Sequence, residues 1–143
     1  MSIYDLFSGG NRPFDKEEWA AAKQAQRKEA YELIDNTCFE MMASGDSFRQ
    51  YLDVQGRFDR YSVANAILVS AQMPEATQLK EYSKWKASRV YVNKDAQKII
   101  ILEPSKEYTR EDGTKGISYN AKVVYDISET SAKDRQQEQS RRP

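Results

Sequence analysis

The sequence predicts an α+β fold, with N-terminal helices packed on a small, mainly antiparallel C-terminal β-sheet. Three observations lead there. Up to Trp85 the apolar residues recur every three or four positions, the period of an amphipathic helix. From Arg89 onward the period drops to two, as in strands with one covered face. Between the two strands that follow lies Glu111-Asp112-Gly113-Thr114-Lys115-Gly116, a turn signal that makes them an antiparallel hairpin with a long exposed tip. A chain of 143 residues is the size of one domain and can bury a core without cross-links.

Residues 1–12 carry Ser-Gly-Gly-Asn and read as a flexible arm, which leaves 13–127 as the folded domain. Asp15 with Glu18 three residues on resembles a capping box. The helix it opens runs to Ala43, with Trp19, Ala22, Ala30, Leu33, Ile34, Cys38, Met41 and Met42 as its inward set. Ser44-Gly45 ends that helix, and a shorter one is expected from Ser47 to Gly56 with Phe48, Tyr51 and Leu52. Tyr61 to Gln72 is the least charged run of the chain and reads as a buried central helix, capped by Ser62 and stopped by Pro74. Val63, Ala64, Ile67, Leu68 and Ala71 form its apolar face, and Tyr61, Asn65 and Gln72 lie along the border. Polar groups at the edge of a core need partners, so these three are read as structural pins. Thr77 is expected to cap a fourth helix bearing Leu79, Tyr82 and Trp85. Strands are then expected at Arg89–Asn93, at Ile99–Leu102, where Pro104 ends or bulges the strand, and at Ile117–Ile127. Residues 128–143 are almost wholly polar, the composition of a disordered tail or of a linker to a further domain.

Composition removes whole classes of chemistry. There is no histidine, which excludes histidine acid/base catalysis, the serine triad and most zinc sites. The single cysteine, Cys38, allows no internal disulfide and reads as a small core residue. No acidic pair belongs to a metal motif, and the isolated glycines make no phosphate loop. The expectation is a non-enzymatic chain with no cofactor, no metal and no catalytic residues. No run spans a bilayer and no signal peptide opens the chain, which predicts a soluble, cytoplasmic protein.

Net charge is zero, from 22 basic and 22 acidic residues, so any affinity for nucleic acid must come from local charge. One stretch supplies it. Between Gln78 and Lys98 lie Lys80, Lys84, Lys86, Arg89, Lys94 and Lys98 against Glu81 and Asp95, with Tyr82, Trp85 and Tyr91 among them. Single strands are held by cations along the phosphates and by rings on which bases stack, and this is the one region with both. For Trp85 helix packing is the first reading and a stacking platform the second, because Leu79, Tyr82 and Trp85 have the three-residue spacing of an inward face; an ordinary solvated surface is the competing reading of the lysines. Tyr108, Arg110, Lys115 and Tyr119 around the hairpin form a second candidate surface, opposed by Glu107, Glu111 and Asp112.

The order Tyr61-Ser62-x-x-Asn65-x-x-Leu68-x-x-x-Gln72, Ala76-Thr77, Trp85, Tyr91-Val92-x-Lys94, Ile101-Leu102-Glu103-Pro104 and Val124-Tyr125-Asp126-Ile127-Ser128-x-Thr130 resembles the N-terminal domain of ArdC-type antirestriction proteins. The resemblance covers roughly residues 19–130. It implies single-stranded DNA binding in a protein of a plasmid or conjugative element, often ahead of a metallopeptidase-like domain or a primase region. Two departures stand out. The glycine turn usual between the first two strands is replaced by Lys94-Asp95-Ala96-Gln97-Lys98, which removes free backbone amides as a phosphate contact there. The His-Glu-x-x-His helix of the metallopeptidase part is missing, so protease activity would belong to a domain outside this chain. A competing reading is a protein-interaction module that recognises a restriction enzyme or another mobile-element protein.

Overall fold

Asp15 opens the first helix by accepting hydrogen bonds from the backbone N–H groups of Glu17 (2.9 Å) and Glu18 (3.2 Å), while two glutamates in the first turn complement the helix dipole. The computed structural model describes residues 15–133, in which this helix, α1, runs Lys16–Ala43. The expected arm and most of the expected tail lie outside the described residues. Of the inward set of α1 only Ala30 is fully buried; Leu33 and Ile34 pack half-covered beside Leu68 and Leu102. Met42 is 86% exposed, contrary to expectation. Successive residues lie 100° apart around a helix, so the contact that half-covers Met41 leaves Met42 in solvent.

Ser44 ends α1 and begins the next helix in one step: its N–H donates to Glu40 O and its hydroxyl accepts from Ser47 N. Helix α2 therefore runs Gly45–Arg57, two residues earlier than the expected start, and continues through Gly56. Arg57 ties its end to the carbonyls of Ala76 (3.1 Å) and Pro74. Helix α3 spans Val63–Gln72 with Ser62 as its cap, so Tyr61 lies just outside it. The buried residues of α3 are Ala66, Ile67, Leu68, Val69 and Ser70. That is a helix enclosed through its middle rather than along one face, and the expected face residues Val63 and Ala71 are exposed.

Strand β1 is the dipeptide Leu79–Lys80, followed by helix α4 at Tyr82–Ala87. The expected helix from Thr77 is displaced by Asp126. This carboxylate is 2% exposed and accepts from Thr77 N (2.9 Å), Gln78 N (3.0 Å) and Ser128 N (3.1 Å), which draws residues 77–80 alongside the last strand. Strands β2, Ile99–Thr109, and β3, Lys115–Asp126, form the hairpin, and the antiparallel sheet has the order β1-β3-β2. Register shifts between Pro104 and Glu107; proline is tolerated because β2 is an edge strand and its missing N–H leaves no ladder bond open. The expected strand at Arg89–Asn93 reduces to one bridge, Val92 to Thr130, since its only partner is the short chain segment after β3.

After a 3₁₀ turn at Ile127–Glu129, Thr130 and Ala132 are buried, so packing continues past the expected boundary at 127. Ala132 packs with Trp85, Val90 and Tyr125 in one cluster, while Val54, Phe58, Val69, Met73, Ile99, Ile101 and Val124 belong to the main core.

The two amides of α3 fasten it to the open edge of the sheet. Asn65 Nδ2 donates to Leu102 O and Leu102 N donates to Asn65 Oδ1, both at 2.8 Å. Gln72 pairs the same way with Ile100, at 2.8 and 2.9 Å. Alternate residues of an edge strand point their backbone groups away from the ladder, and here two side-chain amides stand in for the missing neighbour strand.

Candidate nucleic-acid interface

The basic and aromatic stretch is built on α4 and on the turn that closes it. Trp85 faces inward, 2% exposed, and its Nε1 donates to Tyr125 O at 2.9 Å. The expectation of a stacking platform at Trp85 is corrected: a ring enclosed by Val90, Tyr125 and Ala132 offers no face to a base. Lys80 is engaged with the same ring, its Nζ 4.8 Å from the centroid.

Helix α4 closes in a Schellman motif, with Val90 N donating to Trp85 O and Arg89 N to Lys86 O, both at 2.9 Å. The residue at the left-handed position is Arg89, φ 60°, where glycine is usual. The chain beyond it is locked to the segment after β3: Tyr91 N donates to Ser131 Oγ (3.0 Å), Ser131 N to Tyr91 O (2.8 Å) and Asn93 N to Glu129 O (2.9 Å). Tyr91 thus presents a ring 64% exposed on a fixed backbone, and Tyr82 is exposed one turn of α4 before Lys86.

The cations of the stretch are exposed at Lys84, Lys86, Arg89, Lys94 and Lys98. Among the described residues no carboxylate forms an ion pair with Lys84, Lys86, Arg89 or Lys94. Glu81, one of the two acidic residues of the stretch, is engaged elsewhere. It lies 2.6 Å from Lys122 Nζ, which also reaches Glu103 at 3.5 Å. The Lys122 hydrogen bond, assisted by the charges of Lys122 and Lys84, holds the Glu81 carboxyl below its ordinary pKa. Desolvation alone would lower the Lys122 ammonium, but the Glu81 hydrogen bond and the charges of Glu81 and Glu103 outweigh it and the net shift is upward.

The hairpin tip uses its own charges. Arg110 lies 5.3 Å over the Tyr108 ring and donates to Lys115 O (3.0 Å), and Lys115 pairs with Glu107 at 3.5 Å. A Cβ on Gly116 would meet the Tyr108 ring and the Arg110 guanidinium at 2.6 Å, so glycine is what lets this pair lie across the strand. Tyr119 belongs instead to a cleft of about 500 Å³, which also takes in Tyr31 and Arg60, residues the sequence does not single out. They come from three separate elements, and no sequence spacing joins them; only an exposed tyrosine on an otherwise charged helix face hints at Tyr31.

Among the described residues no group of three or more Cys, Asp or Glu could hold a metal ion, and no helix is long and apolar enough to cross a membrane. Comparison with protein-family models, with curated proteins and with solved structures finds no match, so the likeness to ArdC-type N-terminal domains rests on the residues quoted above.

Proposed function

We propose that this domain binds single-stranded DNA without sequence preference and without catalysis, as one part of a mobile-element protein. The observation that carries the reading is the surface from Tyr82 to Lys94. Four cations without ion-pair partners among the described residues flank two exposed phenol rings, one of them on a backbone fixed by Ser131. Cations follow the phosphates while rings stack on bases, and neither contact reads sequence. Compared with the sequence expectation, Trp85 drops out of the contact set and Lys80 becomes secondary. Tyr91 is the principal ring.

Titration of a labelled oligothymidine tests this. Replacing Lys84, Lys86 and Arg89 together by alanine is expected to weaken binding severely. Tyr91→Ala is expected to weaken it by roughly fivefold to 150-fold, the range for one stacked base. Unchanged affinity in both variants would refute the surface. A protein partner is the second reading, favoured by Phe39 and Met42, 74% and 86% exposed near the end of α1. Changing both to serine leaves DNA affinity intact if the first reading holds.

A further inference from the structure

The cleft of about 500 Å³ between α1, the start of α3 and the β2–β3 hairpin is within the size range of small-ligand sites. Tyr31 on α1, Tyr61 ahead of α3 and Tyr119 on β3 line it, with Tyr31 and Tyr119 each about two-fifths exposed. Among the described residues of the lining Arg60 is the only charged one, and none is a carboxylate. The first turn of α3 forms part of the wall through Ser62, Ala64 and Asn65, so the positive end of the helix dipole adds to the Arg60 charge. One turn before Tyr31 on α1, Arg27 has a buried Nε with no hydrogen-bond partner among the described residues. Three rings, one unopposed guanidinium and a helix start match a planar aromatic group carrying an anion.

We propose that this cleft takes one unstacked nucleotide of the bound single strand, its base against Tyr31, Tyr61 and Tyr119 and its phosphate toward Arg60 and the first turn of α3. The inference rests on the reading of the domain as a single-stranded DNA binder, and it adds a second contact point away from Tyr91. It also explains why three tyrosines from distant parts of the chain share an apolar hollow without a hydrogen bond between their hydroxyl groups in the described structure.

The test compares a labelled oligothymidine with a strand of the same length made of abasic sites. Tyr31→Leu and Tyr119→Leu are each expected to weaken oligothymidine binding about fivefold to 150-fold, and to leave binding of the abasic strand as in the unmodified protein. Arg60→Gln is expected to reduce the log-log salt slope by about 0.7. Tyr119→Phe keeps the ring and should keep the affinity, which separates stacking from a folding defect. If both leucine variants bind oligothymidine normally while Tyr91→Ala does not, the cleft is overturned and the proposed function stands. Equal losses on both strands would also overturn the cleft, because a missing stack cannot matter where there is no base. If the folded, unmodified protein ignores oligothymidine at low salt, both proposals fall. Loss in the cleft variants, with the triple alanine variant unaffected, keeps the cleft and overturns the surface on α4.

Discussion

Asn65 holds α3 to the sheet edge by bonding both backbone groups of Leu102. A polar amide beside an apolar helix face had to be paired, and the sequence said so; that its partner is both backbone groups of Leu102, 37 residues on, was not readable, because nothing local marks Leu102 as an edge-strand residue. Asn65→Ala leaves two backbone groups unpaired and is expected to lower unfolding free energy by about 1 to 3 kcal/mol per orphaned group, read from urea melts. Full stability with lost DNA binding would contradict the structural role. Arg89 runs the other way. A left-handed backbone costs a residue with a Cβ roughly 1 kcal/mol or more, so Arg89→Gly is expected to hold or raise the melting temperature while weakening DNA binding. A less stable protein with unchanged affinity would contradict it. Glu81 sets a pH dependence: its carboxyl titrates below its unfolded value, so its contribution is complete above roughly pH 4.3 and disappears as pH falls through the folded value. Glu81→Gln is expected to lower stability at neutral pH, where the pair with Lys122 is intact, and to change little once pH falls below the folded value, which flattens the acid side of the profile; equal losses at both ends would contradict it.

At the scale of elements, periodicity marked the helices and the hairpin because each buries one side over many residues. It failed where a few side chains decide. The two-residue strand β1 exists because Asp126 holds the N–H groups of Thr77 and Gln78, and no alternation can reveal a strand that short. Conversely, Arg89-Val90-Tyr91-Val92-Asn93 alternates well but opens in a Schellman closure and forms a single bridge, Val92 to Thr130, beside scattered bonds to Glu129 and Ser131. The polar composition after Ser128 concealed a folded segment, since small residues such as Thr130 and Ala132 can be buried without an apolar signal. Asp126→Ala is expected to destabilise the domain by about 3 kcal/mol, as it removes three backbone hydrogen bonds to a charged acceptor at once. Amide exchange should then accelerate first at Thr77, Gln78 and Ile127. Uniform acceleration across the sheet would argue against a local tether.

At the scale of the whole molecule, the proposed function asks a chain with no net charge to hold a polyanion. Charge separation would meet that demand: Lys122 pairs with Glu81 and Glu103, Lys115 pairs with Glu107, and among the described residues Lys84, Lys86, Arg89 and Lys94 carry no ion pair. The fold class was legible because it depends on summed patterns. The candidate interface was legible as a stretch but not as a surface, since burial of Trp85 and exposure of Tyr91 are settled by what packs on them. The most direct test is the salt dependence of oligothymidine binding by the unmodified protein. About three or four phosphate contacts predict a log-log slope near −2 to −3, and changing Lys84, Lys86 and Arg89 to alanine should cut its magnitude by about 2. A folded protein that fails to bind at low salt, or one that binds with a slope the triple change does not alter, would contradict the account.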